Sequence, residues 1–252
     1  MNKQSPVGFF DSGMGGISTL RSARRLLPGE DYLYYGDSEN APYGVKTEQQ
    51  VCALSQRAAE LLLEKGAKAL VIACNTATAA AAEYLRSLYP DVIIVGTEPA
   101  VKLAVEHCPG GRVLVMATAG TLASERFQTL YKRFEEKAQI VPVPCTGLME
   151  FVEQGKLSGP EVEQFLVEKL EPFTKVPVNA VVLGCTHYPF LEDAIRNVLG
   201  KQVAVFDSAD GVARQLRRRL EEKDLLNERP DGGSVTFLNT CQQLSETLMD
   251  AE

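Results

Sequence analysis

Two stretches of this chain present a thiol in the same way. Ala69-Leu70-Val71-Ile72-Ala73-Cys74-Asn75-Thr76 and Ala180-Val181-Val182-Leu183-Gly184-Cys185-Thr186-His187 each run from apolar residues to a small residue, then cysteine, then polar residues that can open a helix. A thiolate is a competent base or nucleophile, and a cysteine at a helix start gains from unpaired backbone N–H groups and the positive end of the helix dipole. Cys74 and Cys185 are both expected in that placement. Either one alone reads more simply as a small buried residue at a strand end. The repetition, beside Asn75-Thr76 and Thr186-His187, is what calls for chemistry, and it suggests a site with two matched halves.

Asp11 and His187 are the other titratable groups at predicted strand ends. His187 stands two positions after Cys185, and an unperturbed pKa of about 6.5 suits it to poise that thiol. Asp11 could orient or deprotonate Cys74, although an aspartate after a strand is also a routine helix cap. Ser12, Asn75, Thr76, Thr118, Thr121 and Thr186 share the carboxyl ends of predicted strands. Singly each reads as a cap; together with helix-start N–H groups they make a pocket for a small acid. Gly13, Gly15 and Gly16, with Asp37 beyond them, approach a dinucleotide fingerprint. Position 18 is serine, however, and Asp11 would repel a pyrophosphate, so a tight βα turn is the better reading.

The elements that must position these residues alternate. Strands are predicted near 7–10, 32–35, 68–73, 92–95, 112–117, 139–143, 181–183, 203–206 and 234–238. Helices are predicted to about Leu27, from a Thr47/Gln50 capping box to about Lys65, and through an alanine-rich run to Tyr89. Further helices open at Thr97-Glu98-Pro99, run to about Phe134, span 146–154, and start at Pro160 to end before Pro172. The last ones start at Tyr188-Pro189, run to about Lys223, and close the chain. Continuous Val/Ile/Leu runs between helices fit mainly parallel sheets covered on both faces. A (β/α)₈ barrel has the right length, but the duplication favours two doubly wound halves, with ligands beyond the carboxyl ends of the strands.

Composition narrows the function further. With 252 residues, 45% of them hydrophobic and 23% charged, the chain can bury a real core. A net charge of −7 argues against nucleic-acid or anionic-membrane partners. No apolar run approaches a membrane span, and the start of the chain leads straight into a strand, so the expected location is the cytoplasm. Six cysteines without a Cys-x-x-Cys pair, and only two histidines, give no support for a metal site. Cys52, Cys108, Cys145 and Cys241 read as inert small hydrophobes.

Five motifs in order, Asp11-Ser12-Gly13-x-Gly15-Gly16, Pro42-Tyr43-Gly44, Cys74-Asn75-Thr76-Ala77, Ala117-Thr118-x-x-Thr121 and Gly184-Cys185-Thr186-His187-Tyr188-Pro189, resemble the glutamate racemases of the aspartate/glutamate racemase superfamily. The resemblance implies cofactor-independent interconversion of L- and D-glutamate, supplying D-glutamate for peptidoglycan. It implies that Cys74 acts on D-glutamate and Cys185 on L-glutamate, with Asp11 assisting the first and His187 the second. Asp11, Ser12, Pro42, Tyr43, Gly44, Asn75, Thr76, Thr118, Glu153, Thr186 and His187 are the implied substrate contacts. The fold it implies is α/β, two pseudo-symmetric doubly wound domains with the active site between them, and a homodimer. Boundaries are placed at 1–97 plus 208–252 for the domain carrying Cys74 and 98–207 for the one carrying Cys185. Only ten residues precede Asp11, so activation by a peptidoglycan precursor is not expected.

Other readings keep part of the pattern. Aspartate or hydantoin racemase activity fits the same superfamily, whereas single-cysteine decarboxylation of malonates leaves a thiol over. A thiol hydrolase using Cys185 and His187 leaves Cys74 unexplained. A two-domain amino-acid receptor would call for an export signal.

Overall fold

The computed structural model describes residues 2–238 and 247–249. Among the described residues nine strands, β1 (Val7–Asp11), β2 (Tyr32–Gly36), β3 (Ala69–Ile72), β4 (Ile93–Gly96), β5 (Arg112–Ala117), β6 (Gln139–Pro144), β7 (Ala180–Leu183), β8 (Ala204–Phe206) and β9 (Val235–Phe237), form two open sheets. The first has the order β4-β3-β1-β2-β9 and the second β6-β5-β7-β8, and every pairing is parallel. The fold is therefore mixed α/β with two mainly parallel sheets, and the barrel alternative is set aside. Strands β1 to β4 and β5 to β8 repeat one order, in which the third strand of each set lies beside the first. The chain comes back to the first sheet at its far end, where β9 pairs with β2.

Side-chain alternation explains why the central strands of both sheets have no wet face. Val7, Phe9, Ala69 and Val71 point into one apolar cluster, while Phe10, Leu70 and Ile72 point into another. In the second sheet Leu114, Met116, Val181 and Leu183 join the first of these clusters, and Val113, Val115, Ala180 and Val182 form a third. One core is thus continuous between the sheets. Helices α1 (Ile17–Leu26) and α10 (Ala209–Glu222) pack on it from the first sheet. Helices α7 (Leu148–Glu153), α8 (Pro160–Thr174) and α9 (Glu192–Leu199) pack on it from the second. The outer cores are covered by α2 (Glu48–Glu64) and α3 (Asn75–Leu88) on one sheet. On the other, α4 (Val101–His107), α5 (Ala119–Ala123) and α6 (Glu125–Phe134) follow in chain order, and α4 and α6 supply the covering apolar residues. No helix among the described residues is long and apolar enough to cross a membrane.

Local chemistry sets most helix ends. Thr47 and Gln50 form the expected capping box of α2, at 3.3 Å and 3.0 Å. Four expectations need correction. Helix α4 starts at Val101 with Ala100 as its cap. Thr97 instead takes an N–H···O bond to Thr78 Oγ1 at 3.0 Å and pairs its hydroxyl with Ser208 at 2.8 Å. The helix expected to reach Phe134 unbroken is two helices, because Ser124 is extended and caps α6 by accepting the Phe127 N–H at 3.2 Å. Helix α8 runs through Pro172 to Thr174. Proline so near a C-terminus forfeits one hydrogen bond, and the Arg112 guanidinium donates to the Phe173 and Val176 carbonyls beyond it. The segment from Tyr188 opens as a 3₁₀ turn to Leu191, with α9 following. The expected C-terminal helix and Cys241 lie outside the described residues, apart from the helical 247–249.

Candidate active site

In each sheet the crevice opens where connections leave in opposite directions, beyond β1 and β3 in the first and beyond β5 and β7 in the second. Asp11 ends β1, Cys74 follows β3, Thr118 follows β5 and Cys185 follows β7. The two crevices face each other, and hydrogen bonds join them directly. Thr186 donates to Asp11 Oδ1 at 3.1 Å, and Ser18 donates to the Thr186 carbonyl at 2.9 Å. The first threonine of α3, Thr76, meets Thr118 at 3.0 Å and Thr121 at 3.2 Å, closing a triangle of hydroxyls across the gap.

Cys74 caps α3: its Sγ accepts the Ala77 N–H at 3.4 Å and lies 3.6 Å from Ser12 Oγ. Burial pushes its thiol up to about 12, the Asp11 charge adds to that push, and the Cys185 sulfur adds a little more. The Ala77 N–H and the Ser12 hydroxyl pull the other way and lose. Cys74 thus rests as a thiol at neutral pH. Asp11 is fully buried, with Oδ2 accepting the Gly13 N–H at 3.2 Å. Burial drives its carboxyl above the ordinary aspartate range despite the pull of His187.

Cys185 has a different environment. It does not cap a helix, since its carbonyl accepts the Tyr188 N–H at 3.1 Å in a tight turn ahead of the 3₁₀ segment. The matched placement expected of the two thiols is therefore broken. What Cys185 has instead is His187, whose Nδ1 lies 3.6 Å from Sγ. On the far side of the imidazole, Nε2 lies 2.7 Å from Glu153 Oε1 and 3.2 Å from the Gly15 N–H. Nε2 cannot donate to one and accept from the other; the shorter, charge-assisted contact assigns it the proton. Burial disfavours a charged imidazole, but the Cys185 sulfur, the Glu153 carboxylate and Asp11 outweigh it and hold His187 well above its ordinary range. Glu153 is held low in turn: burial would raise it, but His187, the Met14 N–H at 2.6 Å and the Ser38 hydroxyl at 2.9 Å prevail. The result is a buried relay, carboxylate to imidazolium to sulfur, reaching from α7 to the second thiol.

Both thiols are nearly sealed, Cys74 being 6% and Cys185 8% exposed. The loop after β2 is anchored beside the hydroxyl triangle. Asp37 gathers the hydroxyls of Tyr43 at 2.7 Å and Tyr35 at 3.2 Å and the Asn40 amide at 2.9 Å. That anchor presses Pro42-Tyr43-Gly44 toward α5, where Gly44 packs on Thr118. Asn75, the first residue of α3, is buried with Oδ1 and Nδ2 unpartnered among the described residues, a donor and an acceptor ready for a polar ligand. A cleft of about 670 Å³ runs between α3 and α6 with Thr76 in its wall. Neither thiol nor His187 lines it; those groups lie apart from it, between the sheets.

Comparison with known proteins meets this geometry. A family model described as Asp/Glu/Hydantoin racemase matches residues 17–216. The chain belongs to this family. It is 47% identical to a glutamate racemase of Clostridium perfringens (strain SM101 / Type A), covering 98% of this chain and 97% of that one. Among solved structures, the glutamate racemase of Francisella tularensis in complex with D-glutamate superposes with a TM-score of 0.84 at 27% identity, covering 99% and 95% of the two chains. The glutamate racemase of Thermus thermophilus in complex with beta-chloro-D-alanine gives 0.78 at 34% identity, covering 99% and 93%.

Within this racemase fold, residues widely separated in sequence gather around the two thiols: Asp11, Ser12, Asn75, Thr76, Thr118, Glu153, Thr186 and His187, with Pro42, Tyr43 and Gly44 as the covering loop. Thr121, expected in the pocket from its place at a strand end, completes the hydroxyl triangle. Sequence reasoning left two contributors out of the site: Ser38 bonds Glu153, and Asp37 anchors the covering loop. Asp37 had a usable signal in its long, turn-rich loop. Ser38 had none.

Proposed function

We propose that this chain interconverts L- and D-glutamate, with Cys74 and Cys185 exchanging protons on opposite faces of the α-carbon. The observation that carries the proposal is the pair of buried thiols, each beyond the third strand of its own four-strand unit, brought into one cluster with unlike helpers. In the L-to-D direction Cys185 as thiolate takes the α-proton, and Cys74 as thiol gives its proton to the opposite face. The turnover leaves Cys185 a thiol and Cys74 a thiolate, ready for the reverse direction or for proton exchange with water. His187 as imidazolium, held by Glu153, stabilises negative charge on the sulfur beside it. At Cys74 the substrate's α-ammonium offsets the cost of a thiolate next to Asp11.

Neutral donors would hold the carboxylates: Ser12, Asn75, Thr76, Thr118 and Thr186, with N–H groups at the start of α3 and the Pro42-Tyr43-Gly44 loop. Acid and base both come from the chain, so the scheme draws on no cofactor and no metal. The proposed domains are 1–97 with 208–252 and 98–207, one thiol in each. We place the activity in the cytoplasm of a bacterium, supplying D-glutamate for peptidoglycan, in a homodimer; the relatives named glutamate racemase support the substrate.

A second reading is favoured by one observation. The Glu153–His187–Cys185 relay has the arrangement of a thiol hydrolase, nucleophile, base and orienting acid. It leaves Cys74 and Asp11 without work, and a trapped acyl-Cys185 would be needed to sustain it. The deciding experiment incubates each glutamate enantiomer in D₂O and follows α-deuteration by NMR beside circular dichroism. Deuterium entering with loss of optical activity supports the proposal; no exchange into glutamate, with exchange into aspartate, overturns its substrate.

A further inference from the structure

Two loops of the first sheet hold the Glu153 carboxylate, although Glu153 ends α7 on the second. Oε1 accepts the Met14 N–H at 2.6 Å, from the loop after β1, and lies 2.7 Å from His187 Nε2. Oε2 accepts from Ser38 Oγ at 2.9 Å, from the loop after β2. The last torsion of a glutamate is broad and roughly two-fold, so the side chain does not set the plane of its own carboxylate. Two donors meet at Oε1, and the bond to Oε2 is what stops the group from turning about them. Ser38 is itself held firmly. It opens a one-turn 3₁₀ segment, Ser38–Asn40, where the Asp37 and Ser38 carbonyls accept the Asn40 and Ala41 N–H groups at 3.0 Å and 3.3 Å. Just before it, the Asp37 N–H donates to the Asp11 carbonyl at 3.0 Å, and the Asp37 carboxylate accepts from Tyr43 and Asn40. The Ser38 hydroxyl therefore stands at a fixed point between the end of β1 and the Pro42-Tyr43-Gly44 loop, the kind of support that keeps an orienting group in register.

We propose that Ser38 is a positioning residue for the second thiol: its hydroxyl fixes the Glu153 carboxylate in the plane that lets Oε1 meet His187 Nε2, and through them it orients the imidazole at Cys185 Sγ. The proposal rests on the two-thiol reading above. It makes the relay a joint product of both sheets, with the acid from the second and the hydroxyl that aims it from the first.

Ser38→Ala removes the hydroxyl and Ser38→Thr keeps one, and a thermal melt checks that each variant folds. With Ser38→Ala, kcat/KM should fall about 5- to 10-fold, the weight of one hydrogen bond to a charged group, and Ser38→Thr should recover most of it. In the Glu153→Gln background Ser38→Ala should cost less than about twofold, because residues acting through one group are not additive. A second readout needs no turnover. The chain has two histidines, so long-range proton–nitrogen NMR of histidine-labelled protein reads Nε2 of His187 beside His107, which packs on Phe206 and serves as the control. Ser38→Ala should shift the His187 Nε2 resonance, Ser38→Thr should return it, and His107 should stay in place. An unchanged kcat/KM, an unmoved His187 resonance, an equal shift at both histidines, no rescue by Ser38→Thr, or a full Ser38→Ala penalty in the Glu153→Gln background would each overturn the proposal. If the unmodified protein does not racemise glutamate, the glutamate reading falls while the NMR result still judges Ser38.

Discussion

Glu153→Gln is the sharpest test of the relay behind Cys185, because it changes charge and almost nothing else. The amide oxygen can still accept from His187 Nε2 and the Met14 N–H, and the amide nitrogen can donate to the Ser38 hydroxyl, which reverses its role. What disappears is a negative charge 2.7 Å from an imidazolium, at a side chain only 15% exposed. A hydrogen bond with an ionised partner contributes about 1.5–3 kcal/mol and a neutral one about 1 kcal/mol. The loss is therefore roughly 1–2 kcal/mol, or about 5- to 30-fold in the equilibrium between cationic and neutral His187. If the relay supports the Cys185 thiolate, kcat/KM falls by up to the same factor. The fall must be equal for L- and D-glutamate, since enantiomers have equal free energies in water and the equilibrium fixes the ratio of the two values. Linkage gives the window: raised His187 contributes stability that is full below the ordinary histidine value and lost as pH rises through its folded value. Lowered Glu153 contributes stability that is present above the ordinary glutamate value and lost as pH falls through its folded value. Between those limits both are charged, and there the variant should lose both stability and activity. Circular dichroism of each enantiomer across that window is the assay. A variant with kcat/KM within twofold of the unmodified protein would refute the relay.

Three further outcomes follow from the same geometry. Cys74→Ala and Cys185→Ala should each abolish racemisation measured polarimetrically, and turnover at the original rate by either one would end the two-thiol scheme. Asn75→Ala should raise KM about 10-fold or more with a smaller change in kcat, since it removes a buried amide whose donor and acceptor have no partner among the described residues; an unchanged KM would mean that the amide does not meet substrate. Lys68→Met should destabilise the fold by about 3–5 kcal/mol in urea, because it leaves Glu30 charged and buried. Lys68 also holds the Lys3 and Leu225 carbonyls, so a loss below about 1 kcal/mol would contradict the buried pair.

Much of this architecture was legible in the residues, and what was not has physical causes. The apolar runs that stop at Asp11, Cys74, Thr118 and Cys185 are strands buried on both faces, which is why their ends could be read without a structure. The Thr47 capping box was readable because all of its partners lie within four residues. The unequal surroundings of the thiols were not. Cys74 and Cys185 have similar neighbours in sequence, but i to i+3 bonding after Cys185 makes a 3₁₀ turn where α3 makes a helix N-terminus. Nor could the contacts between sheets be read, such as Glu153 with Met14, because nothing local marks a pair 139 residues apart. Glu153 entered by resemblance alone.

One mark of those long contacts was in plain sight as glycine. Gly13 and Gly15 imitate a phosphate loop, yet neither has the positive φ that would demand glycine. Their missing side chains make room instead for groups from the other sheet: a Cβ on Gly13 would run into the Glu153 carboxylate, and one on Gly15 into the His187 ring. Gly15→Ala therefore places a methyl where the imidazole stands, while its own backbone and the first sheet are unstrained. The expected result is a separation of effects. Activity should fall at least as far as in Glu153→Gln, because His187 must leave either Cys185 or Glu153. The urea midpoint should move by less than a buried overpacking of about 1–3 kcal/mol implies, because the ring can retreat with its turn. An alanine variant that keeps both its activity and its midpoint would mean that the two crevices do not work at the separation seen here, and that the cross-sheet relay is absent during turnover.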